Sequence, residues 1–256
     1  MPLVLSETPC DGVRLLRLNR PEAYNALNTP LRNELADLVE ALGDDPDMRC
    51  IVITGNEKAF AAGADLAEIH TDTPVDIMAR KVRRFWNRIE SCPIPIIAAV
   101  RGVAFGGGCE LALNADIIVA GENAKFGQPE VRVGVMPGGG GTQRLIRAVG
   151  KYKAMKLVLT GEPISGVEAA QMGLASEAVP DDQVLDRALA LAAKIAALPP
   201  VAIRLTKEVT LAGADAALST GLLMERRLFE MLFSTADQKE GMGAFLDRRE
   251  AKFTGR

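Results

Sequence analysis

The sequence predicts an α/β fold, and three observations carry the prediction. Short, almost wholly apolar runs (Cys50–Thr54, Ile96–Val100, Ile117–Ala120) suit strands buried on both faces of a sheet. Between them lie segments with apolar residues at helical spacing. Turns of small residues join the two kinds of segment, so the order strand, turn, helix recurs.

Taken in order, Val13–Leu18 reads as a strand that ends at Asn19-Arg20-Pro21. Thr29 is the expected N-cap of the first helix, with Pro30 in its first turn. Leu31, Leu35, Leu38, Val39 and Leu42 give that helix one apolar face. Cys50–Thr54 is the next strand, and Gly55–Asp65 reads as a loop of small residues with a helix soon after it. Val75–Ser91 is expected as one amphipathic helix with Met78, Val82, Phe85, Trp86 and Ile89 on its apolar stripe. Pro93 and Pro95 separate it from the strand Ile96–Val100. Gly102–Gly108 reads as a glycine-rich turn, Cys109–Asn114 as a helix and Ile117–Ala120 as a strand. The segments around Gly63-Ala64 and Gly107-Gly108 look like structural repeats. From Lys151 onward the chain reads as mostly helical, with a break at Leu198-Pro199-Pro200. The last section has too few apolar positions for a core of its own. It is expected to pack on the main domain or on another subunit.

Composition excludes several classes. With 48% hydrophobic and 25% charged residues, the 256-residue chain is expected to fold. A net charge of −3 gives it no electrostatic reason to seek nucleic acid or membrane. Four cysteines without a CxxC pair, and one histidine, argue against a zinc site; no metal is expected. The cysteines read as reduced core residues of a cytoplasmic protein. The start of the chain lacks the pattern of a signal peptide, and no apolar run is long enough to span a bilayer.

Among catalytic motifs, His70 has no nearby GxSxG, so a surface or loop histidine is the better reading. Gly138–Gly141 is followed by Thr142-Gln143 and not by the lysine of a P-loop, and GxGxxG is missing. What remains is small residues and carboxylates. Ala62-Gly63-Ala64-Asp65 and Gly106-Gly107-Gly108-Cys109 each sit where a loop feeds a helix, so their N–H groups could form an oxyanion hole. Tight packing of a turn is an equal alternative for either segment alone. Glu110 lies beside Leu111 and Leu113, and burial would raise its pKa. Glu130 follows Gln128-Pro129. Paired carboxylates could hold one water and move its protons, although most of the 33 acidic residues are only solvated charges.

Together these segments resemble the crotonase (enoyl-CoA hydratase/isomerase) superfamily. The matching pieces are Asn19-Arg20-Pro21 with Asn25-Ala26-Leu27, Ala59 to Leu66, Gly106 to Leu111, Phe126 to Glu130, Met136-Pro137-Gly138 with Gly141 to Leu145, and Glu240-Gly241-Met242 with Ala244-Phe245-Leu246. The resemblance runs from about residue 12 to the end. It implies a spiral of ββα repeats over residues 1–198 and a helical trimerisation region over 199–256, assembled as a trimer or a dimer of trimers. It implies Ala64 and Gly107 as the N–H donors to the thioester oxygen, and Glu110 and Glu130 as the catalytic pair. Ala23, Ala62, Asp65, Leu66 and Gly138 match substrate contacts; Phe245 and Arg248 match contacts made from a neighbouring subunit. CoA is part of the substrate, so no separate cofactor is implied. Lys58 is a further candidate near the nucleotide. Glu22 stands where many hydratases carry lysine, which weakens a phosphate role for that loop.

Having both glutamates favours hydration over isomerisation by Glu130 alone. Within the family the chain is similar to 2,3-dehydroadipyl-CoA hydratases of phenylacetate degradation and also to short-chain fatty enoyl-CoA hydratases, so the acyl group stays open. An RNA-binding role would rest on Arg80, Arg84 and Arg88, four residues apart, with Lys81 and Arg83 beside them. The solvated side of an amphipathic helix is the preferred reading, and no nucleic-acid partner is expected.

Overall fold

A hairpin opens the chain, with β1 (Val4–Cys10) antiparallel to β2 (Val13–Leu18). The computed structural model describes all 256 residues. Helix α1 (Thr29–Asp44) follows. The first ββα unit is β3 (Cys50–Thr54), β4 (Ala59–Ala61) and the one-turn helix α2 (Leu66–Ile69). Two further helices, α3 (Pro74–Ala79) and α4 (Arg83–Glu90), lead to the second unit. That unit is β5 (Ile96–Val100), β6 (Val103–Phe105) and α5 (Gly107–Leu113). Then come β7 (Ile117–Gly121), β8 (Lys125–Gly127), a 3-10 turn at Pro129–Val133, α6 (Gly141–Val149) and α7 (Lys151–Thr160). The strands β9 (Ile164–Ser165) and β10 (Glu177–Val179) flank α8 (Gly166–Gln171). The chain ends in α9 (Val184–Ala196), α10 (Pro200–Ala214), α11 (Leu218–Leu232) and α12 (Ala236–Asp247).

The first strands of the units build one six-stranded sheet, in the order β1-β2-β3-β5-β7-β10, parallel from β2 onward. The second strands build another, β4-β6-β8-β9. Two packed layers explain the apolar runs in the sequence. Ile51, Ile53, Ile96 and Ala98 face a large core with Phe60, Phe126 and the leucines of α1. Their alternate neighbours Val52, Ile97 and Ala99 face a smaller layer closed by Val184, Ala188 and Ala192 of α9. No single helix is long and apolar enough to cross a membrane.

Several expectations change. The cap of α1 is Asn28, whose side chain accepts from Leu31 N (3.0 Å), and Thr29 is already helical. The Gly55–Asp65 loop and the Gly102–Gly108 turn each contain a short strand, β4 and β6. Three alternating or small residues are too few to show a period. β1 escaped the sequence reading because six of its seven side chains are partly or fully exposed. Cys10 is exposed, unlike the other three free cysteines.

The single helix expected over Val75–Ser91 is broken. Lys81 takes a left-handed φ of 49°, so α3 and α4 are separate and Met78 is exposed rather than part of the apolar stripe. The arginine row is broken with it. Arg80 is bound to Asp72 and Glu68, and Arg88 to Asp37 and Glu40, within the chain. Two of the three arginines are thus neutralised locally, and the helical spacing does not run across the break.

Candidate active site

Parallel pairing of β4 with β6 sets the turns that follow them side by side. Gly63 has φ of 114°, and its carbonyl accepts from Leu27 N (2.7 Å), while Ala64 bridges to Leu27. Gly106 has φ 49° and ψ −123°, a conformation that a Cβ resists. Gly107 is the first residue of α5, so its N–H has no acceptor inside the helix. A Cβ built on Gly107 would lie 3.5 Å from Ala64 N, so the two candidate donors are neighbours. The approach is close because Gly108 rests directly on the Ala61 carbonyl, 1.9 Å from where its Cβ would be.

Glu110 lies one turn into α5 and is only 3% exposed. Its Oε1 accepts from Gly139 N (2.7 Å) and Gly141 N (2.8 Å). Burial raises its pKa; the two N–H bonds and the charge of Arg144 act the other way. These donors favour the ionised form and fix one oxygen, leaving Oε2 as the oxygen not held by them.

Glu130 comes from the 3-10 turn after β8 and is half-buried. Its pKa is pushed up to about 7, first by burial and further by the like charge of Glu110. The carboxyl group lies over Gly106, where a Cβ would be 2.9 Å from Oε1. Glycine at 106 therefore serves both the turn and the carboxylate. Gln128 is fully buried, and with its amide nitrogen toward Glu130 it donates to both oxygens (3.0 and 3.2 Å). The sequence reading passed over Gln128. Its only signal was a polar residue between the apolar β8 and the proline that starts the turn.

The remaining candidates fall into two groups. Ala23 lies in the 3-10 turn Pro21–Ala23, which is tied to β4 through Asn25 Nδ2 donating to the carbonyls of Ala59 (3.0 Å) and Phe60 (3.2 Å). Ala62 N donates to the Tyr24 carbonyl (3.0 Å), so the Ala23 and Ala62 loops run together beside Ala64. Leu66 is exposed next to them. The Asp65 carboxylate already caps α2 at Ala67 N (3.1 Å) and pairs with Arg20 (2.7 Å), and its carbonyl accepts from Glu68 N (3.0 Å), so a ligand would meet this residue through its backbone and not its side chain. Gly138 is exposed and faces open space beside Gly139. Lys58, Arg17 and Arg101 line an open polar basin of about 420 Å³ that also includes Pro21. Glu22 leans on Arg20 (3.7 Å). By contrast, Phe245 and Arg248 lie at the exposed end of α12 and make no hydrogen bond or ion pair to any of these residues. His70 is exposed, with Nδ1 at the Ala67 carbonyl (3.2 Å), away from any nucleophile.

Two converging N–H groups, one anchored carboxylate and one carboxyl group poised near neutrality can polarise a carbonyl, hold a water and deliver a proton. The comparisons agree in kind. The family model described as enoyl-CoA hydratase/isomerase matches residues 9–256. The chain is 48% identical to the 2,3-dehydroadipyl-CoA hydratase of Escherichia coli K12 over 244 residues, 95% of this chain and 96% of that one. It is 45% identical to the mitochondrial enoyl-CoA hydratase of Pongo abelii over 241 residues, 94% and 83% of the two chains. A crystal structure of enoyl-CoA hydratase subunit I from Geobacillus kaustophilus superposes with a TM-score of 0.96 at 40% identity, covering 100% and 99%.

Proposed function

The chain belongs to the enoyl-CoA hydratase/isomerase family, and from that premise we propose that it adds water across the 2,3 double bond of an enoyl-CoA thioester to give a 3-hydroxyacyl-CoA. One observation carries the choice of hydration: Glu110, anchored by Gly139 N and Gly141 N, shares the site with the protonatable Glu130. In this reading the N–H groups of Ala64 and Gly107 hold the thioester oxygen and stabilise the enolate that forms. Glu110, ionised, orients a water whose oxygen bonds to Cβ and whose proton it accepts. Glu130 delivers a proton to Cα; between turnovers Glu110 gives up the proton it took and Glu130 is reprotonated, so that the H and OH of one water are added overall. Each oxyanion donor contributes roughly 2.7–4 kcal/mol in such sites. CoA enters as part of the substrate, and the mechanism calls for no further cofactor.

The substrate contacts assigned in this proposal are Ala23, Ala62, Leu66, Gly138 and the backbone of Asp65. Phe245 and Arg248 would act from a second copy. Support for self-association comes from the last three helices, taken as an oligomerisation region over 199–256 on a core of 1–198. Helix α11 has no buried residue, and Leu218, Leu222, Leu223 and Phe229 are exposed on it. A trimer or dimer of trimers would cover that face. Four unpaired cysteines suit a reducing, cytoplasmic location.

Loss of the conjugated-thioester absorbance of crotonyl-CoA, compared with a dicarboxylic enoyl-CoA, tests the reaction and the acyl group together. Loss with either substrate is the expected result; no loss with both sinks the hydratase reading. Faster turnover of the dicarboxylic thioester would point to the aromatic-degradation role, and faster turnover of crotonyl-CoA to fatty-acid metabolism.

A further inference from the structure

The run Gly138–Gly141 has no side chains with which to anchor itself, yet the N–H groups of Gly139 and Gly141 must point at Glu110. Glycine backbone is the most conformationally free in a protein, so the direction of those N–H groups has to be imposed from outside. Helix α4 imposes much of it. A Cβ built on Gly139 would fall 2.4 Å from Cε2 and 2.5 Å from Cζ2 of Trp86, so the indole is packed directly against this peptide. Trp86 is buried and is braced edge-on by Phe85, with ring centroids 4.7 Å apart. On its other side the Gly139 carbonyl accepts from Arg144 Nη1 (3.1 Å). Arg144 is in turn paired with Glu90 (3.3 Å), one helical turn beyond Trp86 on the same helix.

We infer that α4 is the positioning element of the water-holding carboxylate: Trp86, supported by the Glu90–Arg144 pair, fixes the Gly139 peptide and through it the place of Glu110. The inference rests on the hydratase reading. None of these three residues is assigned a contact with reacting atoms, so they are positioning residues. Without the indole wall, Gly139 is free to rotate its N–H away. Glu110 then loses a donor that favours its ionised form. The charged and titratable groups around Glu110 are Arg144 from α6, Glu130 from the 3-10 turn and Cys109 beside it on α5. Leucine at 86 keeps the site dry, so the loss of an aligned donor dominates and the pKa of Glu110 rises.

The experiment compares Trp86→Leu, Trp86→Phe and Glu90→Gln with the wild type, measuring kcat, KM and the pH profile for crotonyl-CoA, with circular dichroism to establish folding. Trp86→Leu is expected to lower kcat at least tenfold, to change KM less than twofold and to move the acid limb of kcat upward in pH. Trp86→Phe is expected to recover part of both effects. Glu90→Gln, on the surface, is expected to lower kcat two- to threefold with the same direction of limb shift, and it carries the test if Trp86→Leu does not fold. A merely structural tryptophan would lower the melting temperature and leave kcat of the folded protein and its acid limb unmoved; that result overturns the inference. A wild type that hydrates neither thioester overturns the hydratase reading and this inference with it.

Discussion

The two ββα units each close on a turn that presents a candidate N–H donor, Ala64 in one and Gly107 in the other, and hold it by different means. In the first unit the turn ends at Ala64, which is exposed, and the short α2 buries no residue. Ion pairs, buried or partly buried, secure it. Arg20 pairs with Asp65, Arg80 with Asp72 and Glu68, and Arg32 with Glu68. In the second unit α5 buries Gly108, Cys109, Glu110, Leu111 and Ala112, and packing against β4 secures it. An N–H donor can be supplied by either arrangement. The buried one also raises the pKa of a carboxylate, Glu110. In the proposed site the difference leaves one side of the oxyanion hole open for a ligand and makes the other side a dry place for proton chemistry.

The largest test of this contrast is Glu110→Gln. Removing the buried carboxylate is expected to lower hydratase kcat by roughly 10²–10⁴-fold. The matched change in the first unit, Asp72→Asn, is expected to alter kcat less than twofold, because its carboxylate pairs with Arg80 and touches no group of the site. An isomerase working through Glu130 alone would keep its activity in Glu110→Gln, and a double-bond-shift assay on the same variant distinguishes the two reactions.

Next in size is Gly108→Ala. Its new Cβ would meet the Ala61 carbonyl at 1.9 Å, so α5 must move and carry the Gly107 N–H out of line with Ala64 N. A loss of roughly 10²–10³-fold in kcat is expected, the scale of one misplaced oxyanion donor. Unchanged turnover in folded Gly108→Ala would show that the packing of the second unit does not set the donor.

The smallest effect is read with pH. In the proposed mechanism Glu130, pushed up to about 7, is the proton donor, and the protonated form is lost as pH rises through that value. kcat/KM is therefore expected to fall up to tenfold per unit above about pH 7. The sign for stability is the same. Because the folded pKa is raised above the ordinary 4.5, the stabilisation of the neutral buried acid is complete below that value and is lost as pH rises through about 7. A flat profile between pH 6 and 9 would remove Glu130 from the donor role.

The strands Cys50–Thr54 and Ile96–Val100 were legible because burial on both faces leaves a single polar residue in them, Thr54, whose hydroxyl is satisfied by the Ala99 carbonyl (2.9 Å). The break at Lys81 was not, because a left-handed φ of 49° at a lysine leaves no mark in an apolar period that runs on across it. Gln128 was missed because its partner is settled only when the 3-10 turn folds back over Gly106.

By itself, then, the sequence determined the alternation of apolar strands with glycine turns, and the order in which Ala64, Gly107, Glu110 and Glu130 occur. Those follow from local chemistry: which residues tolerate burial, and where a Cβ would obstruct the backbone. Tertiary structure decided the surroundings of the two carboxylates. Glu110 is held by Gly139, 29 residues away, and the pKa of Glu130 depends on its burial and on the nearby Glu110. A pKa shift is a property of surroundings assembled from distant segments, and no spacing along the chain encodes it.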